Sequence, residues 1–405
     1  MLGPRSFVLA LWLLESACPA GQGGAPREGG GTWSLDGGAW SLDGGAWTMP
    51  VLGSVDAITQ MSQDVLRAAG RNWTRTLFRN GAYRCGRTGY FTFLLLERED
   101  LAGATAPLWV HLHGGGVGYY DDEKRYHGTE SFNDEESRDT LTGHVSDAVA
   151  GDALRDNAIG RRLADGHRLL VVSMCDHDLY AGAGQPYPNN PHWPDGDQVE
   201  GLLATTAAIK YVATASQDSG RRWSTSRIYL HGSSAGSVGS WNVGVALTRV
   251  GVRINGALLD SYVVTSRAPA LLAARCSPLN SSDATFDRAS LEAKVGPFLA
   301  DPALYLENNL PPPFPVLNLD GDQDPWCCGP SAPLPEVADA GFTNNCLWVQ
   351  EDVARRMEGL GPTVKSIMVP GYGHVVADDS GDHQALVEAW YQATLAGAVA
   401  PTFPP

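Results

Sequence analysis

One stretch of the chain combines a serine with the glycines that a nucleophile needs around it. Gly232, Ser234 and Gly236 fit the pattern G-x-S-x-G, after an apolar strand pattern and before a helical one. In such a motif a tight turn pushes the central hydroxyl out over the edge of a sheet. The alternatives are a plain glycine-rich turn between a strand and a helix, or a phosphate-binding turn, although the Gly-Lys-Ser/Thr of a P-loop is missing. The sequence therefore indicates Ser234 as a nucleophile, whereas Ser233 and Ser237 lie off the centre of the turn.

A second glycine-rich stretch has the composition of an oxyanion loop. The letters "HGGG" at residues 113–116 directly follow an apolar strand pattern. Glycines let backbone N–H groups approach a developing negative charge without obstruction, and one such donor lowers a barrier by about 3 kcal/mol. We expect the N–H groups of the 114–116 loop to act together with that of Ala235, the residue after the serine.

A hydroxyl nucleophile also needs a base and an acid, in the chain order Ser, Asp, His. His374 lies in "PGYGH", after the last strand pattern, and is the one histidine of ten with this placement. The stretch "LNLDGDQDPW" follows an earlier strand pattern and offers Asp320, Asp322 and Asp324. An acid two or three residues beyond the strand's glycine reaches a histidine best, which favours Asp324 and leaves Asp322 in reserve. Asp260, after another strand pattern, is a further alternative.

These side chains predict ester hydrolysis through an acyl-enzyme. His374 would remove the proton as Ser234 attacks a carbonyl carbon, and Asp324 would orient the imidazole and stabilise its charged form. Water would then cleave the acyl group, with neither a metal nor an organic cofactor required. The spaced aspartates do not predict a calcium loop, because Pro325 replaces the obligatory glycine and Ser331 the glutamate of that motif.

The elements that must position these residues alternate along the chain. Helices are predicted at 54–70, with Ser54 as N-cap, and at 198–216, 235–250, 345–361 and 382–397. Strands are predicted at 90–98, 107–114, 167–175, 226–232, 254–262, 314–321 and 364–374. This alternation predicts an α/β fold with a mostly parallel, doubly wound sheet flanked by helices. Such sheets bind ligands beyond the carboxyl ends of their strands, which is where the candidate residues fall.

The beginning of the chain has the pattern of a signal peptide. Arg5 precedes the apolar run "FVLALWLL", and cleavage after Ala20 is expected. The run is too short to span a bilayer, so no membrane insertion is predicted. A first helix of a cytosolic domain and a lipoprotein signal cleaved before Cys18 are the alternatives. The expected location of the mature protein is extracellular.

Residues 21–50 form a glycine-rich segment, and residues 51–405 are predicted to be one catalytic domain. The segment repeats "WSLDGGA" at 33–39 and 40–46. Two copies cannot build a solenoid, which needs at least three. We interpret the segment as a flexible tether, the alternative being a strip of tryptophans that stack on sugars.

Charge and cysteine content limit the partners and the compartment. A formal net charge of −16 argues against nucleic acid as a partner. Six cysteines remain after a signal peptide is removed, and an even number in a secreted chain fits up to three disulfides. They are Cys85, Cys175, Cys276, Cys327, Cys328 and Cys346. Asn72 and Asn280 lie in glycosylation acceptor triplets. The oligomeric state is not specified by these patterns.

These motifs resemble the α/β-hydrolase superfamily, and within it the pectin acetylesterase and Notum group of secreted carboxylesterases. The stretches "HLHGGG", "MCDHDLYAG", "HGSSAG" and "LNLDGDQDPW" carry the resemblance, which spans about residues 85–395. His113 departs from the group, whose glycine loop usually opens with glutamate. The resemblance implies the catalytic residues Ser234, Asp324 and His374 and the oxyanion donors Ala235, Gly115 and Gly116.

The expected function is that of a secreted serine carboxylesterase that removes short acyl groups from a small-molecule or carbohydrate ester. The loop at 117–155 is polar and acidic, unlike a lipase lid, which favours a short acyl group on a hydrophilic carrier; a solvated insertion is the alternative. The alternatives are a lipase, thioesterase, peptidase or other deacylase on the same fold, or an inactive hydrolase-like binding protein. The cluster Asp176, His177 and Asp178 either lines the cleft or, as we favour, holds its own loop by turn hydrogen bonds.

Overall fold

Runs of buried apolar residues build the central strands of one nine-stranded sheet. The computed structural model describes residues 52–101, 106–116, 118–128, 134–146, 148–150, 153–214, 227–262, 314–324 and 357–397, with Ala338, Glu351, Ala354 and Arg355. The predicted signal peptide, the segment 21–50, Asn280, four of the six cysteines that follow the signal peptide and most of the predicted helix at 345–361 lie outside these residues.

The strands of this sheet, numbered along the chain, are β1 (Ile58–Ala68), β2 (Arg71–Arg84), β3 (Tyr90–Arg98), β4 (Leu108–Leu112), β5 (Arg168–Val172), β6 (Ile228–Ser233), β7 (Gly256–Asp260), β8 (Val316–Gly321) and β9 (Val364–Val369). Their spatial order is β1-β2-β3-β5-β4-β6-β7-β8-β9. The six strands from β5 to β9 in this order are parallel. The first three are antiparallel.

Helices cover both faces of the sheet. They are α1 (Arg138–Gly143), α2 (Ala158–Ala164), α3 (Gly201–Thr214), α4 (Ala235–Arg249) and α5 (Gln384–Leu395). Side chains alternate across the strands, so Val110 packs in one core with Trp241 of α4, while its neighbour Trp109 packs in the other with Trp390 of α5. This strand order with helices on both faces is the α/β-hydrolase fold, so the predicted fold class is confirmed.

The predicted helix at 54–70 is wrong, because the segment forms β1. It pairs antiparallel with β2, from Ile58 opposite Asn80 to Ala68 opposite Arg71. Met61 and Val65, which a helical pattern would place inward, are 43% and 55% exposed. Pairing with β2 decides the structure here, since strand formation depends on cross-strand neighbours more than on local propensity.

The other predicted strands and helices that lie within the described residues are present, with ends that differ by a few residues. Their parallel arrangement brings the ends of β4, β6, β7, β8 and β9 to one edge of the sheet, as Leu112 lies opposite Gly232, and Ser233 opposite Asp260. In the part of the chain that the structure describes, helices fall short of the length and apolarity needed to cross a membrane.

Candidate active site

Ser234 occupies a strained position between β6 and α4. Its backbone has φ 55° and ψ −117°, in a region that a residue with a side chain adopts at a cost of about 1–3 kcal/mol. The Ser234 N–H donates to the Asp260 carbonyl oxygen at 2.8 Å, and the Ser237 N–H donates to the Ser234 carbonyl oxygen at 2.9 Å. These two bonds hold the turn that the G-x-S-x-G pattern predicts.

The glycines on either side of Ser234 are required for close packing. A Cβ at Gly236 would lie 2.8 Å from the His113 carbonyl oxygen and collide with the carbonyl of Leu112. A Cβ at Gly232 would lie 2.6 Å from the Ser240 hydroxyl oxygen. The start of α4 therefore presses directly against the end of β4, which brings the serine to the loop that follows β4.

That loop, residues 113–116, meets the serine. A Cβ on Gly114 would lie 3.1 Å from the Cβ of Ser234. Gly115 and Gly116 have φ values of 139° and 76°, which favour glycine. Ala235 is buried at the first position of α4. The three predicted oxyanion residues thus lie on the two elements that meet at Ser234.

His374 and Asp324 form a hydrogen-bonded pair at the same sheet edge. His374 Nδ1 lies 2.7 Å from Asp324 Oδ2, with the carboxylate side chain fully buried and the imidazole 16% exposed. With Nδ1 as the donor to this carboxylate oxygen, the neutral imidazole has its lone pair on Nε2. This is the tautomer that a general base needs.

The other candidate acids have different partners. Asp322 accepts the Gly371 N–H at 2.7 Å and so holds the turn before His374. Asp320 is buried and accepts from Asn318 Nδ2 at 2.6 Å. Asp260 accepts backbone N–H groups at positions 376 and 377. Of the four aspartates that the sequence offered, Asp324 is the one that contacts the histidine.

A buried charged cluster lies behind the glycine loop and was not predicted from the sequence. His113 Nε2 is 3.3 Å from Glu136 Oε1, and His144 Nε2 is 3.1 Å from Glu136 Oε2. His113 Nδ1 donates to the Gly114 carbonyl oxygen at 2.6 Å. Burial lowers the pKa of His113, but the Glu136 carboxylate more than reverses this, so the pKa is raised. The raised pKa widens the pH range in which His113 is an imidazolium that can donate from both nitrogens.

The cluster Asp176, His177 and Asp178 is buried and does not line an open cleft. Asp178 accepts the N–H groups of Tyr180 at 2.9 Å and of two glycines, and Asp176 accepts the Glu200 N–H at 2.9 Å. His177 and Tyr180 have φ values of 49° and 54°. These aspartates hold their strained loop, the role that the sequence analysis favoured.

The loop that contains these aspartates also contacts the glycine loop at residues 113–116. The Tyr180 hydroxyl donates to the His113 carbonyl oxygen at 3.2 Å. A disulfide joins Cys175 to Cys85, which confirms one of the bridges expected from the cysteine count. Neither contact is visible in the sequence, because each partner is distant along the chain.

Two groups of side chains that could ligate a metal occur in the described residues, each with its ligand atoms within 4.8 Å of one another. In the first group, the rings of His113 and His144 are stacked 3.7 Å apart with an angle of 2° between planes, and both Nε2 atoms face the Glu136 carboxylate. In the second group, His231 joins Asp260 and Asp378. His231 Nδ1 accepts from Trp109 Nε1 at 3.4 Å, which leaves a proton on Nε2, where a metal would bind.

Comparisons with known proteins show similarity of structure. No protein-family model matches the sequence, and no curated protein matches it. A glucuronoyl esterase from Solibacter usitatus aligns with TM-score 0.44 and 13% identity over 89% of each chain. A fungal esterase from Rhizomucor miehei aligns with TM-score 0.41 and 15% identity over 86% of each chain. An S-formylglutathione hydrolase from Agrobacterium tumefaciens aligns with TM-score 0.42 and 13% identity, over 84% of this chain and 98% of the other. At this degree of similarity the likeness does not extend to activity or substrate.

Proposed function

We propose that the protein is a serine hydrolase that cleaves ester bonds. The observation that carries the proposal is a strained serine, Ser234, at a strand–helix junction on the sheet edge that also holds a buried Asp–His pair. A glycine loop in contact with the serine completes the set that acyl transfer needs.

In the proposed reaction, His374 Nε2 takes the hydroxyl proton as Ser234 Oγ attacks the ester carbonyl carbon. Asp324 stabilises the imidazolium that forms. The N–H groups of Ala235, Gly115 and Gly116 bind the oxyanion of the tetrahedral intermediate. The imidazolium then protonates the leaving alcohol, which leaves an acyl-enzyme. Water, deprotonated by His374, attacks the acyl carbon in the same way and releases the acid and free Ser234.

The finer proposal is a secreted carboxylesterase for short acyl groups, of the pectin acetylesterase type, acting on a hydrophilic carrier such as a polysaccharide. A buried disulfide supports an oxidising compartment. The acidic loop at 117–155 supports a polar carrier rather than a lipid surface. Expression in a secretory host and mass spectrometry of the exported chain test the location, and retention inside the cells would contradict it.

The activity is tested with p-nitrophenyl esters from acetate to octanoate on the full chain. We expect Ser234→Ala to lower kcat by at least about 10⁴-fold, because the nucleophile and its base act as a unit. Ser62→Ala on β1, far from this edge, is the matched control and is expected to keep full activity. A fluorophosphonate should label Ser234 covalently. Equal turnover by the wild type and Ser234→Ala would contradict the proposal.

The acyl preference is tested separately. Acetate esters are expected to give the highest kcat/KM, and acetate release from an acetylated polysaccharide is expected to depend on Ser234. Much faster turnover of octanoate would contradict the short-acyl proposal and favour a lipase. Faster turnover of a matched thioester would favour a thioesterase.

A further inference from the structure

Three successive backbone N–H groups that follow His374 all donate to one dipeptide, Asp260-Ser261. The Val375 N–H donates to Ser261 Oγ at 2.9 Å. The next two N–H groups, at positions 376 and 377, donate to Asp260 Oδ1 at 2.6 Å and to Asp260 Oδ2 at 2.7 Å. Asp260 is the last residue of β7 and Ser261 follows it, and β7 lies between the strand that precedes the serine and the strand that precedes the acid.

The loop needs this support because its backbone is strained. Val375 has φ 65°, an uncommon conformation for any residue with a side chain and a genuine outlier for a β-branched one. Ser261 has φ 63°. Such conformations cost about 1–3 kcal/mol each and persist only where surrounding contacts impose them. The three hydrogen bonds to Asp260 and Ser261 are contacts of this kind.

Asp260 also holds the nucleophile. Its carbonyl oxygen accepts the Ser234 N–H at 2.8 Å, while its carboxylate accepts from the loop after His374. A second link runs in parallel, because Ser233 Oγ donates to Asp378 Oδ2 at 2.9 Å. The backbone on both sides of the proposed proton transfer is therefore tied to one buried residue.

The chemistry of the contact explains why an aspartate stands here. A carboxylate has two oxygens and accepts both N–H groups, whereas asparagine has one acceptor oxygen and would set its NH₂ against the other N–H. The site is unfavourable for charge, since burial and the neighbouring Asp378 raise the pKa of Asp260. A buried carboxyl group in such a site is explained by the hydrogen bonds that it makes.

We infer that Asp260, with Ser261, is a positioning element that fixes His374 relative to Ser234. The inference rests on the proposed function, and it gives Asp260 a role different from the triad acid that the sequence left open. Asp260 acts through the backbone and touches neither the substrate nor the imidazole in the proposed reaction.

The test compares Asp260→Asn with Glu97→Gln, which alters a buried carboxylate on β3 at the opposite edge of the sheet. Active sites are titrated with a fluorophosphonate, so that kcat refers to folded, reactive protein. We expect Asp260→Asn to lower kcat by about 10²-fold with little change in KM, because displacement of a catalytic group by about 1 Å has this effect. Glu97→Gln is expected to lower the melting temperature without changing kcat.

A milder variant keeps the inference testable if Asp260→Asn does not fold. Ser261→Ala removes only the hydroxyl that holds the Val375 N–H, and we expect kcat to fall about tenfold while KM stays constant. The rate of fluorophosphonate labelling should fall in proportion, since it depends on the same proton transfer. Unchanged kcat in folded Ser261→Ala and Asp260→Asn would overturn the inference.

Failure of the inference and failure of the proposed function are distinguishable. If Ser234→Ala loses turnover while the Asp260 and Ser261 variants keep it, the positioning role is wrong and the serine hydrolase stands. If Ser234→Ala retains turnover, the proposed function is wrong, and with it the inference.

Discussion

At the residue scale, two aspartates two positions apart in the chain have separate tasks. Asp322 accepts the Gly371 N–H and so shapes the turn that leads to His374. Asp324, two residues further along the loop after β8, contacts the imidazole itself. The Gln323 N–H between them donates to the Tyr372 carbonyl oxygen at 2.9 Å, which joins the two loops. The reach of the acid is therefore set by the loop length after β8.

A pair of conservative substitutions separates these tasks. In Asp324→Asn the amide would favour the wrong tautomer of His374, and we expect kcat to fall by about 10⁴-fold with little change in KM. Asp322→Asn keeps an oxygen for the exposed Gly371 N–H, so it is expected to change kcat by less than about threefold. Ester hydrolysis by both variants checks this. A larger loss in Asp322→Asn would assign the acid role to Asp322.

At the element scale, the elements that could be predicted from the sequence are those that apolar runs and glycine patterns determine. Such local patterns predict the parallel strands, the turn at Ser234 and the placement of His374 after the last strand. The β1–β2 hairpin was missed because polar residues such as Asn80 face inward while Met61 and Val65 are exposed, so the segment lacks the apolar alternation of a half-buried strand. The support by Asp260 and Glu136 was missed for a different reason, because each holds a loop that is distant in sequence.

The oxyanion loop rests on the Glu136 cluster, and its stability should depend on pH. The pKa of His113 is raised in the folded protein, so its contribution is fully present below the ordinary value of 6.5 and is lost as pH rises through the folded pKa. Breaking a buried charge pair costs about 3–5 kcal/mol. We therefore expect Glu136→Gln to lower the free energy of unfolding by that amount at about pH 6, and by less at about pH 9.

Urea unfolding of the two proteins at both pH values measures this difference. Glu135→Gln is the matched control, because Glu135 pairs with an arginine, Arg79, rather than with a histidine. Its effect on stability should be the same at both pH values. A Glu136→Gln effect that is constant or grows with pH would contradict a protonated His113.

At the scale of the whole molecule, one covalent bond joins the antiparallel and parallel parts of the sheet. Cys85 follows β2, and Cys175 lies in the loop after β5, beneath the oxyanion segment. Both residues are fully buried, and the bond closes a separation of 90 residues. The disulfide thereby attaches the β1–β2 hairpin, which the sequence did not predict, to the loop that contacts the glycine loop of the candidate site.

Loss of this bond should destabilise the protein substantially. A cross-link over a loop of this length lowers the entropy of the unfolded chain by an amount equivalent to about 4–5 kcal/mol. We expect the double variant Cys85→Ala, Cys175→Ala to lose that much free energy of unfolding in urea, and dithiothreitol to lower the stability of the wild type by a similar amount. The double variant is the control, because it lacks this bond and the reductant should therefore remove no further contribution of the bond to its free energy of unfolding. Equal stability of the two oxidised proteins would show that the remaining contacts hold the hairpin without the disulfide.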